Sequence, residues 1–512
     1  MMHPRAIENA ENPWRPLLRS ALHGRPYPIV VAGERVTPGA SLWSGTRRWV
    51  EAFRGAGLKP GDRVVHAVEP GPGGLMVLAA CLWEGLTVAM ASPESPLDSQ
   101  ADALLQTFDA RAVIGNGDGV WKTLGAGLPQ DAPPVLRESE LPRSMSTRFI
   151  LSTSGTGGKP RHVALSDDNV LSVLESHGPL LEPCAGWTSA VALSALPWHH
   201  AFGLVIDLLP MVFGGAMVVR DASGGRDPES TLALAEQWGV NHMSMVPLQA
   251  DRLFASERGA GLLEGLLGGV VGGAAVSAAL AGRLVRTRLR VGYGQTEASP
   301  GICLGTPGEW SAGWLGRAVG CETRVDGRGR LLVKGRNVCA GVWGETGVVP
   351  ASDSRWLDTG DLVEPESGGF RFIGRSDDTF KLSNGRLVDA PRIERAIASA
   401  GTGESAVLLP SCRGASIDVV LIGTGLKVGP VWPDSDAVRD ALGSLCSRVG
   451  RVVGLGPDDV PRTRKGSVDR RALAERLAGA SSASAEKERI HDDDLGPTVR
   501  CLPAPRIWGN AA

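Results

Sequence analysis

Residues 152–162 read Ser152-Thr153-Ser154-Gly155-Thr156-Gly157-Gly158-Lys159-Pro160-Arg161-His162 and follow the apolar run Phe149-Ile150-Leu151. Glycines among small hydroxyl residues let backbone N–H groups turn inward around an anion, hydroxyls add donors, and Lys159 adds a charge. That is the build of a phosphate cradle. It is not a P-loop of the nucleotide-kinase kind, because no Gly-Lys-Ser/Thr ending is present and Pro160 follows the lysine. Taken by itself the stretch is also compatible with a plain surface loop, since Gly/Ser/Thr clusters between periodic segments are commonly loops.

Three further stretches carry residues suited to chemistry. Ala192-Leu193-Ser194-Ala195-Leu196-Pro197-Trp198-His199-His200-Ala201-Phe202-Gly203 ends an apolar strand in paired histidines, which fits a catalytic position or a packed one beside aromatics. Val270-Val271-Gly272-Gly273-Ala274-Ala275 and Arg290-Val291-Gly292-Tyr293-Gly294-Gln295-Thr296-Glu297 each run a β-branched strand into glycines. Several strands ending in permissive backbone suggest one shared cleft.

The elements around them set where such a cleft would lie. Leu42, Trp49, Phe53 and Ala56 recur at helical spacing before Pro60-Gly61-Asp62, and Arg63-Val64-Val65 then reads as a strand. Gly73–Trp83 reads as a helix, with Leu86–Met90 and Ala112–Ile114 as short buried strands. Strands alternating with helices indicate an α/β fold with parallel-rich sheets, whose ligands bind at the carboxyl ends of the strands. Leu204–Phe213 reads as an apolar helix, and Asp207 within it as an ordinary solvated position.

At 512 residues the chain exceeds what one core supports, so two or more domains are expected. A net charge of −2 argues against a nucleic-acid binder. The eight cysteines are scattered singly and read as small buried hydrophobes of a reducing compartment. No secretory signal is visible at the N-terminus, and the uncharged stretch 265–281 holds five glycines, which favours strand, turn and helix start over a membrane span. A cytoplasmic protein is expected.

The ordered set of motifs resembles the adenylate-forming superfamily of acyl-CoA synthetases, luciferases and peptide-synthetase adenylation domains. The resemblance runs from about Gly61 to Leu473. It includes Trp356-Leu357-Asp358-Thr359-Gly360-Asp361-Leu362, similar to the ribose-binding signature. It also includes Phe372-Ile373-Gly374-Arg375-Ser376-Asp377-Asp378, similar to the interdomain hinge, and Pro461–Arg470, similar to the C-terminal signature. The resemblance implies a large N-terminal domain over 1–374 and a small α+β domain over 375–479. Residues 480–512, with Ser481–Glu488 and Asp492-Asp493-Asp494, read as a disordered tail.

The resemblance also implies roles. Thr153, Ser154, Gly155, Thr156, Gly157, Gly158 and Lys159 would hold the β- and γ-phosphates of ATP, with Thr156 near a Mg²⁺ that Glu297 helps bind. Gly272-Gly273-Ala274 and Tyr293-Gly294 would form an adenine slot, Tyr293 stacking on the base. Gln295, Thr296 and Ile373 are assigned to the same nucleotide site, Asp361 to the ribose hydroxyls, and Arg375 to the ribose or phosphate region. His200 would sit between ATP and the acid, with Val205, Ile206, Leu208, Leu209 and Met211 equally explained as an acyl pocket or as core; Asp207 among them could recognise a polar group on the acid, against the solvated position favoured above. Asp377 would be the hinge, and Asn384-Gly385 would lead a thiol in for the second half-reaction.

The implied reaction is ATP-dependent activation of a carboxylic acid, fatty or otherwise apolar, to acyl-AMP, followed by transfer to CoA. An acyl-carrier protein as acceptor, β-lactone closure of a β-hydroxy acid, and an adenylation-impaired nucleotide-binding protein are the alternatives. The last arises because Ser467 stands where the superfamily carries its adenylation lysine; Lys465, two residues earlier, is the replacement the sequence offers. The opening loop departs as well, with Arg161 for a lysine, His162 for a glycine and Gly157 for a threonine.

Overall fold

The computed structural model describes residues 12–23, 28–94, 97–115, 121–123, 147–153, 160–183, 186–344, 347–350, 356–383, 386–399, 405–411, 416–423, 429–430, 436–462 and 468–477. The chain forms two compact units, divided between Asp378 and Thr379.

Local chemistry explains the helices of the first unit. Ser166 and Asn169 close a reciprocal capping box on helix Asp167–Leu181, whose first turn is acidic. Helix Pro72–Glu84 starts on a proline and stops at Gly85 in the left-handed conformation. Helix Gly39–Gly55 buries Leu42, Gly45, Thr46, Val50 and Phe53. Ala56, expected on that face, is instead the exposed C-cap residue, because the helix ends one residue earlier.

Three sheets carry the first unit. In one, the strands Thr147–Thr153, Thr87–Met90, Arg63–Ala67 and Ala112–Gly115 run parallel in that spatial order. Phe149, Ile150 and Leu151 pair with Val88, Ala89 and Met90 and are fully buried, as the apolar run required. Arg161–Ser166 returns antiparallel beside Thr147–Thr153. In the second sheet His242–Met243, Val191–Ser194, Met217–Arg220 and Pro28–Ala32 are parallel neighbours, edged by antiparallel Arg35–Pro38. In the third, Val270–Gly272 lies parallel to Arg290–Tyr293, and antiparallel strands including Leu357–Glu366 and Gly369–Arg375 complete it. The chain therefore has a mixed α/β fold with parallel-containing sheets.

The second unit is built on the sheet of Ser405–Pro410, Ile417–Ile422, Val449–Leu455 and Gly429–Pro430. Alternate residues enter two separate apolar clusters: Leu408, Val419 and Leu421 enter one, Val407, Leu409 and Val420 the other. This period-2 pattern buries both faces of the sheet.

Of the cysteines, Cys81, Cys303 and Cys339 are buried as expected, but Cys446 is exposed. Among the described residues no helix is long and apolar enough to cross a membrane.

Candidate active site

Strand Arg290–Tyr293 ends at a tyrosine whose hydroxyl donates to Asp361 Oδ2 at 2.5 Å. Arg375 Nη1 donates to the other oxygen, Oδ1, at 2.6 Å and to the Thr359 carbonyl at 3.0 Å. Asp361 and Arg375 meet because their strands pair antiparallel with those two residues in register. The Asp361 N–H in turn donates to Thr359 Oγ1.

Burial pushes the Asp361 carboxyl up, and the Arg375 charge and the Tyr293 hydroxyl oppose it. The Tyr293 phenol is pushed up by burial and by the neighbouring Asp361 charge. Burial works against the Arg375 charge, but the Asp361 carboxylate, together with Asp377 and Tyr293, raises the guanidinium's pKa on balance. A buried carboxylate fixed by two donors can accept vicinal hydroxyls at its remaining lone pairs. Ile373 lies two residues before Arg375 on the same strand, partly buried.

The glycines around Tyr293 are required by close approach. A Cβ on Gly272 would stand 2.5 Å from the Gly292 carbonyl oxygen of the neighbouring strand, and one on Gly294 would fall on the Pro300 carbonyl. Gly273 differs: it sits at φ +83°, its nearest neighbours would be Val246 Cγ1 at 3.7 Å and Phe202 Cδ1 at 3.8 Å, and it is exposed. Ala274 is half-buried beside it. The Gly273 neighbourhood thus joins the glycine strand to the segment following the paired histidines.

His200 is exposed at the turn that ends strand Val191–Ser194, its ring centroid 4.4 Å from that of His199. Its N–H donates to Pro197 O, and its carbonyl accepts from Leu204 N. The expected helix 204–213 begins earlier and in a wider form: Phe202–Leu208 is π-helical and Leu209–Gly214 continues as α-helix. Pro210 lies inside this run, where it removes a donor and crowds the carbonyl one turn back. Val205, Ile206, Leu208, Leu209 and Met211 are all buried in the main core cluster. Asp207 corrects the expectation of a solvated position: it is 1% exposed, and neither carboxylate oxygen has a hydrogen-bond partner.

Glu297 lies in the turn Thr296–Ala298 with only 14% of its side chain exposed, and Arg161 Nη1 stands 3.5 Å from its carboxylate. In the sequence Arg161 stands out only as a departure at the root of the opening loop, and that position is the available signal. Ser152 Oγ and His162 Nδ1 are 2.8 Å apart across the same strand pair, and Thr153 Oγ1 donates to the Arg161 carbonyl. Gln295 is half-buried with its Nε2 lacking a partner. Asp377 is exposed in the short turn Ser376–Asp378, with Arg375 Nη2 3.9 Å away.

The structure thus joins six of the motif stretches in three groupings: Arg161 with Glu297, Tyr293 with Asp361 and Arg375, and Gly273 with Phe202. Ser154, Gly155, Thr156, Gly157, Gly158, Lys159, Asn384, Gly385, Lys465 and Ser467 lie outside the described residues, as does the 480–512 tail. A separate cavity of about 240 Å³ is lined by Leu181, Leu267, Arg288 and Arg290 among others, and none of the site residues borders it.

The family model for AMP-binding enzymes matches residues 27–343, more than half of the chain. The chain belongs to the AMP-binding enzyme family. This member of the adenylate-forming superfamily is 26% identical over 484 residues to the p-hydroxybenzoic acid–AMP ligase FadD22 of Mycobacterium tuberculosis. That match covers 87% of the chain and 66% of the relative, so the chain spans just under two thirds of that protein's length. It is 28% identical over 402 residues to the anthranilate–CoA ligase of Pseudomonas aeruginosa, covering 70% of the chain and 75% of the relative. Among solved structures, ATP-bound MatB from Rhodopseudomonas palustris shares the fold with a TM-score of 0.68 at 21% identity, over 90% of this chain and 98% of that one.

Proposed function

We propose that this member of the AMP-binding enzyme family is an AMP-forming acid ligase that uses ATP to convert a carboxylic acid to an acyl-adenylate and then transfers the acyl group to a thiol. The observation that carries the reading is the buried Asp361, fixed from both sides by Tyr293 and Arg375 next to the glycine-lined end of strand Arg290–Tyr293. In this reading Asp361 accepts the ribose hydroxyls, Tyr293 and Gly272–Ala274 flank the base, and Gln295, Thr296, Ile373 and Arg375 complete the nucleotide site. Thr153 to Lys159 takes the terminal phosphates, and His200 stands between nucleotide and acid.

Mg²⁺ suits the residues present. No group of three or more His, Cys, Asp or Glu able to hold a metal occurs among the described residues. Glu297 offers one hard carboxylate, which matches an ion held by a carboxylate, a hydroxyl and substrate phosphates. Such an ion would offset the charge that develops as pyrophosphate departs.

For the acid we favour an aromatic carboxylate over a fatty one, since relatives named for p-hydroxybenzoate and anthranilate align over most of the chain. CoA is the favoured acceptor because the second of these is a CoA ligase by name. Asp377 adjoins the division between the two units, which supports its role as a pivot between half-reactions.

ATP–pyrophosphate exchange across aryl, fatty and β-hydroxy acids tests the reading without presuming an acceptor. Exchange with an aryl acid, followed by CoA-dependent AMP release and a CoA thioester in the mass spectrum, is the expected result. ATP binding without exchange for any acid would leave a nucleotide-binding protein in its place.

A further inference from the structure

Asp207 has no role in the reading above, yet it is the carboxylate whose burial is hardest to explain. A charged carboxylate without hydrogen bonds at 1% exposure is strongly disfavoured, and such groups in native proteins call for a reason. It sits in a π-helical segment, a form concentrated at functional positions.

What surrounds it is ordered. Ser194 and Arg220 are register partners at the carboxyl ends of adjacent parallel strands, and Ser244 follows Met243, which pairs with Leu193 on the other side. The Ser194 and Ser244 hydroxyls and the Arg220 charge are the neighbours that favour its ionised form, though none of them meets either oxygen in a hydrogen bond. Arg220 makes no ion pair with it; Nη1 of Arg220 donates to the Ser194 and Leu196 carbonyls, and Asp221 and Glu69 share its charge. Ser194 Oγ accepts from Trp198 Nε1 at 3.0 Å, and Trp198 is followed directly by His199 and His200. The π-helical segment abuts the same turn, since a Cβ on Gly203 would strike the Pro197 carbonyl.

We propose that Asp207 is a positioning residue, a buried neutral acid that braces the π-helical segment against the Ser194–Arg220–Ser244 row and, through Ser194 and Trp198, sets the His199-His200 turn for catalysis. The role in catalysis rests on the ligase reading. Burial pushes this carboxyl up to about 7, against the Ser244 hydroxyl, the Arg220 charge and the Ser194 hydroxyl. The folded-state value lies above that of the unfolded chain, so the contribution to stability is full at low pH and is lost as pH rises through about 7.

Asp207→Asn keeps the shape and cannot ionise. With the unaltered protein, pyrophosphate exchange should fall roughly tenfold between about pH 6.5 and 8.5; in D207N that limb should vanish while the rate at the lower pH stays within about twofold. Independently of activity, the melting temperature of D207N should exceed that of the unaltered protein by an amount that grows by several degrees, roughly, between about pH 5.5 and 8. Should D207N not fold, Ser244→Ala serves instead: losing a hydroxyl that favours the charged form, it should move the limb and the melting inflection to higher pH. A limb that persists in D207N, a melting difference that does not change with pH, or an inflection unmoved by S244A overturns the proposal. No exchange by the unaltered protein with any acid overturns the ligase reading, and the melting curves then still decide whether Asp207 is a buried neutral acid.

Discussion

Tyr293 and Asp361, 68 residues apart in the chain, are joined by a hydrogen bond of 2.5 Å, and Arg375 holds the second carboxylate oxygen. Removing the phenol and removing the carboxylate should therefore have different consequences. Tyr293→Phe keeps the ring and leaves Arg375 on Asp361, so urea unfolding should show a loss of about 1–2 kcal/mol, with the KM for ATP raised less than about tenfold. Asp361→Ala strands the Arg375 guanidinium and, in the ligase reading, deletes the acceptor for the ribose hydroxyls. ATP affinity measured calorimetrically should fall on the order of 10²-fold, and an unchanged affinity would remove Asp361 from the nucleotide site.

The glycines separate into those that packing requires and one whose backbone angle matters most. Gly294→Ala places a methyl on the Pro300 carbonyl, a backbone atom that cannot swing away. It should destabilise the protein by more than about 3 kcal/mol or prevent folding. Gly273→Ala meets no atom closer than 3.7 Å and incurs only the left-handed backbone penalty, about 1–2 kcal/mol. Equal losses for the two in denaturant titrations would refute the distinction.

Glu297 pairs with Arg161, the first residue of the strand that follows the opening loop in the chain. In the ligase reading Glu297→Gln weakens the hold on Mg²⁺, so exchange should drop on the order of 10²–10³-fold and the Mg²⁺ concentration for half-maximal rate should rise. Arg161→Lys keeps the charge and should retain most of the rate. A Glu297→Gln protein with an unaltered Mg²⁺ dependence would exclude the metal role.

His177 and His242 predict sensitivity to mild acid. Both are buried, and burial pushes each imidazole down to about 4. In the unfolded chain they bind protons from about pH 6.5 downward. Their folded values being depressed, stability is full above about pH 6.5 and is lost as pH falls toward 4, by about 3 kcal/mol for each across the whole window. The double variant H177Q/H242Q should flatten urea-unfolding free energies between about pH 7 and 5; a slope equal to that of the unaltered protein would place the acid sensitivity elsewhere.

The sequence by itself determined the alternating α/β order, the burial of Phe149-Ile150-Leu151, and the strand ends at Gly272 and Tyr293. Period-2 and helical apolar spacing, glycine and proline punctuation are local signals that survive without a fold. It also carried the motif order on which membership of the AMP-binding family could be read. Only the tertiary structure decided that Asp361 faces Tyr293, that Arg161 reaches Glu297, and that Gly272 is a glycine because another strand's carbonyl lies against it. Such facts depend on register between strands far apart in the chain, which no local pattern encodes. Asp207 shows the limit most plainly: one charged residue in an apolar helix reads as its solvent face, but the three strand ends that enclose it come from residues 194, 220 and 244, and only their assembly removes the water.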